Sequence, residues 1–178
     1  FSAAGDLAEA ILLAGSQCIP GEVLLLELEL SDPFSEQQGL PLEANTVFFE
    51  LLRILSASGV VVVEPAGNGG HLLNLPEGSG ALLVGAFSLQ GFPNPPLRFP
   101  LSCHGPRVDL GMPGNALPTL GWIREHPSQS WTFTGCSAAA AMAAGMLLSL
   151  QAERVSQGLP RLLPSELRGF LRGTDGRA

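Results

Sequence analysis

Ser137 follows Gly135 and Cys136 and opens an apolar run from Ala138 to Leu150. A serine closing a glycine turn at the start of a helix stands where the first N–H groups have no intrahelical partner. A hydroxyl there can attack a carbonyl carbon while those N–H groups hold the oxyanion that forms. The same pattern serves plain helix capping, for which serine is favoured, so chemistry requires a second group. Asn68 supplies one. It lies between Gly67 and Gly69, after the apolar stretch Val60 to Val63, Glu64 and the turn Pro65-Ala66. Asn and Gly suit left-handed turns, and a carboxamide fixed at a sheet end is also an oxyanion donor.

The elements that must position these two residues are legible from periodicity. Residues 3–16 predict a helix with Leu7, Ala8, Ile11 and Leu12 on one face and Gly15 as its stop. Pro20-Gly21 is a turn. Val23 to Leu30 predicts a strand, continuously apolar at first and then alternating, with Glu27 and Glu29 on one face. Residues 31–44 read as a loop. Asn45 or Thr46 caps a helix to about Ser58, with Val47, Phe48, Leu51, Leu52 and Leu55 inward and Gly59 after it. Val60 to Glu64 and Ala81 to Phe87 predict buried strands. The stretch 88–106 reads as irregular, Arg107 to Leu110 as a short strand, 111–121 as turns and Trp131 to Thr134 as extended chain. Helix 138–151 is apolar nearly all round and belongs in the middle of the fold. Pro164-Ser165-Glu166 opens a last helix with Leu167, Phe170 and Leu171 inward, and Gly173 to Ala178 is a polar tail. Apolar strands alternating with helices indicate an α/β protein in three layers, a mostly parallel sheet flanked by helices. Ligands of such sheets bind beyond the carboxyl ends of the strands, where Asn68 and the loop after Leu30 fall.

The bulk numbers agree. The 178 residues fit one domain, 1–178, and 46% hydrophobic against 14% charged residues suits a doubly covered sheet. A net charge of −7 argues against nucleic acid and anionic membrane as partners. No segment reaches the roughly 18 apolar residues of a membrane span. Cys18, Cys103 and Cys136 match no zinc or C-x-x-C spacing, and no metal site is assigned. Gly67 to Gly70 lacks the Gly-x-Gly-x-x-Gly spacing and the Lys-Ser/Thr of phosphate loops, so a nucleotide-binding reading is weak.

The stretch Val61-Val62-Val63-Glu64-Pro65-Ala66-Gly67-Asn68-Gly69 resembles the oxyanion-asparagine segment of subtilisin-like serine proteases. Gly135-Cys136-Ser137-Ala138-Ala139-Ala140-Ala141-Met142-Ala143-Ala144-Gly145 is similar to their nucleophile box. Gly80 to Ala86, Gly105-Pro106-Arg107-Val108-Asp109, Leu163 to Arg168 and Pro20 to Leu24 resemble further landmarks of that family in the same order. Glu64 and the doubled glycine after Asn68 resemble bacterial members; the compartment stays open. The resemblance implies Ser137 as nucleophile, the Asn68 side chain and the Ser137 N–H as oxyanion donors, and Glu27, Leu28, Glu29 and Leu30 as one wall of a cleft where a polypeptide substrate pairs by strand addition. It implies no organic cofactor; calcium occurs in the family, with no site assignable here.

The family's Asp and general-base His segments are not found. Asp6 and Asp32 lack the flanking motif, and His71, His104 and His126 lack a His-Gly-Thr context. A serine without a base is a poor nucleophile; in subtilisin itself loss of the histidine costs about 2 × 10⁶ in turnover. The expectation is therefore the C-terminal part of a subtilisin-like peptidase domain, incomplete at the N-terminus, inactive or nearly so by itself and completed by an N-terminal part of the same protein. Its alternative is a non-catalytic relative that keeps a peptide-binding cleft. Cys136 in place of the usual Thr, and Ala140-Ala141 in place of the usual Ser-Pro, motivate that alternative.

Overall fold

The computed structural model describes residues 3–31, 38–75, 78–89, 96–120 and 130–172. Asp32, His126 and the tail from Gly173 lie outside these. Helix α1 (Ala3–Ser16), strand β1 (Val23–Leu25), a 3₁₀ turn (Leu42–Ala44), helix α2 (Thr46–Ala57) and strands β2 (Val61–Pro65) and β3 (Leu82–Ser88) follow in order. Then come β4 (Leu97–Arg98), β5 (Leu110–Pro113), β6 (Leu117–Leu120), β7 (Ser130–Phe133), helix α3 (Cys136–Ser156) and helix α4 (Pro164–Arg172). Strands β1, β2, β3 and β5 are parallel neighbours in that order. Strand β4 is antiparallel to the end of β3, and β6 and β7 form a separate antiparallel hairpin.

The valine run of β2 explains the layering. Side chains of a strand alternate between faces. Val61 and Val63 pack with Ala139, Ala140, Ala143 and Leu147 of α3 and Leu167 of α4. Val60 and Val62 pack with Ile11 of α1 and Phe48, Leu52 and Leu55 of α2. A strand covered on both faces needs apolar residues at every position, and a mostly parallel sheet between two helical layers is the expected architecture.

Several boundaries differ from expectation for identifiable reasons. Gly15 does not stop α1; it lies inside the helix, where a Cβ would collide with the Leu55 side chain. Close approach to α2 therefore uses Gly15, and Leu12 stands 50% exposed. Asn45 caps α2, its Oδ1 accepting from the Val47 and Phe48 N–H groups, but Val47 is 65% exposed rather than inward. Strand β1 ends at Leu25 instead of Leu30. The Leu26 N–H still bonds the Val63 carbonyl, after which only an isolated antiparallel bridge joins Leu30 to Leu40. Expected strand 107–110 begins at Leu110, because the Arg107 and Asp109 side chains turn into a buried ion network. Residues 111–120 hold β5 and β6 rather than turns alone. Helix α3 starts at Cys136 and is open on one side, with Met142, Met146 and Leu148 exposed, so it flanks the sheet instead of lying enclosed. Phe170 is 54% exposed, while Leu167 takes the core position in α4.

Two sequence landmarks meet in that ion network. Arg107 pairs with Glu43 of the 3₁₀ turn and, at 2.6 Å, with Asp109; Arg168 of α4 reaches Asp109 at 3.0 Å. Arg107 and Arg168 both donate to the Ala81 carbonyl at the start of β3. The network ties α4 and the 3₁₀ turn to the sheet. Burial pushes the Asp109 carboxyl up, but Arg107, Arg168 and the Leu83 N–H outweigh it and hold the group below the usual carboxylate range. Beside this network, on the same face of β2 as Val60 and Val62, Glu64 is wholly buried. Neither of its carboxyl oxygens has a hydrogen-bond partner among the described residues. Burial, and then the Glu43 charge, raise its pKa well above the ordinary 4.5 against the pull of Arg107, a shift that favours the protonated form.

Candidate active site

Strand β2 delivers Asn68 through the turn that follows Pro65, and β7 delivers Gly135 to the start of α3. Both arrive at the same place. The Gly135 N–H bonds the Gly114 carbonyl, which anchors the turn behind β5. Gly135 has φ 125°, a backbone conformation open to glycine, and a Cβ there would stand 3.0 Å from the Asn68 Oδ1. Gly67 likewise has φ 97°, and a Cβ would strike the Gly39 carbonyl. Glycine at both positions lets the Asn68 loop and the Ser137 turn approach side by side.

The contact between them is specific. The Cys136 N–H donates to Asn68 Oδ1 at 2.8 Å. This satisfies one of the α3 N–H groups that lacks an intrahelical acceptor, and it fixes which end of the carboxamide is oxygen. The Asn68 amide nitrogen therefore faces the other way, where Nδ2 donates to Glu29 Oε2 at 3.0 Å; the Asn68 backbone N–H donates to the same oxygen at 3.1 Å. Ser137, the next residue along α3, is half-buried, and its hydroxyl has no hydrogen-bond partner among the described residues.

Cys136 packs the turn from behind. Its thiol donates to the Gly67 carbonyl at 3.1 Å and lies 3.3 Å from Ser102 Oγ. The Ser102 hydroxyl is itself held, accepting from the Ala86 N–H and donating to the Cys103 carbonyl. Burial pushes the Cys136 thiol above its ordinary 9.0, with the Ser102 hydroxyl pulling the other way and the Glu29 charge adding to the rise. The thiol ties the Gly135–Ser137 turn to the Asn68 loop.

Of the expected wall, Glu29 reaches the Asn68 loop. Leu30 holds the bridge to Leu40, while Glu27 and Leu28 are exposed. Desolvation raises the Glu27 carboxyl above its ordinary 4.5. Neither described histidine reaches Ser137. His71 Nε2 lies 3.1 Å from the Gln38 carbonyl. His104 lines a cleft of about 320 Å³ with Ser102, Cys103, Arg98 and Val108. Among the described residues no group of three or more His, Cys, Asp or Glu side chains is placed to hold a metal ion. Sequence reasoning placed Glu29 on a wall but missed its bond to Asn68. The signal was present: Glu27 and Glu29 are charges set in a run of leucines.

No protein-family model matches the chain, and no curated protein sequence matches it. Solved structures do. A cold adapted subtilisin-like serine proteinase superposes with a TM-score of 0.67 at 19% identity, covering 97% of this chain and 55% of that one. Sphericase gives 0.68 at 19% identity over 94% of this chain and 54% of its own. The self-cleaved protease domain of PatA gives 0.66 at 21% identity over 92% and 56%. The chain thus spans a little over half the length of these structures. By sheet order, layering and superposition, the chain carries the α/β fold of the subtilisin-like serine proteases.

Proposed function

We propose that this chain carries the nucleophile and oxyanion half of a subtilisin-like serine endopeptidase site. Ser137 is the nucleophile, Asn68 Nδ2 and the Ser137 N–H are the oxyanion donors, and Glu27 to Leu30 border the cleft for an extended polypeptide substrate. The observation that carries the reading is the 2.8 Å bond from the Cys136 N–H to Asn68 Oδ1. It links two segments 68 residues apart at the start of one helix, beyond the carboxyl end of β2, where α/β sheets bind ligands. Hydrolysis needs a base to take the Ser137 proton and return it to the leaving amine. In this reading the base and its orienting carboxylate come from a segment of the same protein outside these residues. The chain's span of little more than half of the solved proteases supports that division. By itself the chain is inactive or nearly so.

The test is fluorophosphonate labelling of the intact protein that contains this chain, with the adduct mapped by mass spectrometry. Labelling at Ser137, abolished in Ser137→Ala and slowed about 100-fold or more in Asn68→Ala, is expected; loss of one oxyanion donor costs about 10²–10³ in turnover in subtilisin itself. An unlabelled Ser137 in that intact protein sinks the endopeptidase reading. The second reading, a peptide-binding relative without catalysis, is favoured by Glu29, whose carboxylate already occupies the Asn68 donors.

A further inference from the structure

Two N–H groups of Asn68, one from the backbone and one from the side chain, converge on a single oxygen of Glu29. Paired N–H donors aimed at one point form an anion site, and the occupant here is a carboxylate of the same chain, 39 residues away in sequence. The orientation is not interchangeable. The Cys136 N–H holds Asn68 Oδ1, so the carboxamide presents Nδ2 as its donor and cannot flip without giving up that bond. Glu29 itself is exposed, so the charge stays solvated and can be displaced.

We propose that Glu29 is an internal plug in the oxyanion site: its carboxylate occupies the Asn68 donors and excludes an external anion or a substrate oxyanion until it swings away. The proposal rests on reading Asn68 as the oxyanion donor. It makes Glu29 a gating residue whose removal opens the site. A negative carboxylate also repels any second anion near the same donors, so occupancy and charge act in one direction. Uncharging the side chain as Glu29→Gln weakens both effects while keeping its size, and Glu29→Ala removes them.

The experiment is a titration of ¹⁵N-labelled protein with inorganic phosphate, following the backbone and side-chain amide signals of Asn68 in wild type, Glu29→Gln and Glu29→Ala. Charge-assisted hydrogen bonds are the strong ones, so half-saturation at Asn68 should fall at least about ten-fold in Glu29→Ala, with Glu29→Gln between. Equal responses in all three proteins, or phosphate shifts that bypass Asn68, overturn the proposal. If Glu29→Ala gives a collapsed spectrum, the comparison of wild type with Glu29→Gln decides alone. Fluorophosphonate labelling separates this inference from the endopeptidase reading. Phosphate binding unlocked at Asn68 with Ser137 unlabelled keeps the plug and removes the peptidase. Labelled Ser137 with no change at Asn68 keeps the peptidase and removes the plug.

Discussion

Replacing Glu64 by Gln should stabilise the protein increasingly as pH rises. Glu64 is wholly buried in a valine strand, its oxygens lack partners among the described residues, and the Glu43 charge stands nearby. Its folded pKa is well above the ordinary 4.5, so the folded state keeps a proton that the unfolded chain releases. Stability therefore falls as pH rises above the unfolded value, and it does so until the folded carboxyl itself ionises. One retained proton corresponds to about 1.4 kcal/mol per pH unit. Over the pH range between the unfolded value and the raised folded pKa, the advantage of Glu64→Gln over wild type should widen by up to about 1.4 kcal/mol per pH unit. Glutamine has nearly the same shape, so a fixed cost of burying the amide shifts the whole difference and leaves its slope intact. Asp109 has the opposite linkage, with stability lost as pH falls through its lowered pKa, but it is common to both proteins and cancels. Urea unfolding followed by circular dichroism at pH 5, 6 and 7 measures the difference directly. A gap that does not change with pH would refute the upward shift of the Glu64 pKa in the fold.

The same urea series checks Arg107→Met, which strands the buried carboxylates of Glu43 and Asp109. The expected loss at pH 7 is about 3–5 kcal/mol, and a loss under about 1 kcal/mol would show that Arg168 and the backbone suffice. Thiol titration with a soluble aromatic disulfide should modify partly exposed Cys18 first, with buried Cys103 and Cys136 reacting only on unfolding. Native-state modification of Cys136 as fast as Cys18 would contradict the packed turn behind Ser137.

The sequence by itself determined the architecture, because local patterns state what each segment must bury. The unbroken run Val60 to Val63 requires cover on two faces, and the structure covers it with α1 and α2 on one side and α3 and α4 on the other. Asn45 and Gly59 bracket α2 through local capping chemistry that needs no distant partner. The colinear landmarks pointed to a subtilisin-like sheet, and superposition gives that fold. Asn68 and Ser137 stand out in the sequence, Asn68 between two glycines and Ser137 two residues after Gly135 at the start of a helix.

What only the tertiary structure decided concerns partners far apart in the chain. Which helix face turns inward depends on a neighbour: Gly15, not Leu12, faces α2 because only a residue without a side chain fits against Leu55. The strand at 107–110 starts late because Arg107 and Asp109 find Glu43 and Arg168, residues that local pattern does not connect. The same holds at the site. Sequence marks Asn68 as a donor and Glu29 as a wall, but a hydrogen bond is short and directional. Three-dimensional approach alone turned the Asn68 oxygen to the Cys136 N–H and its nitrogen to Glu29.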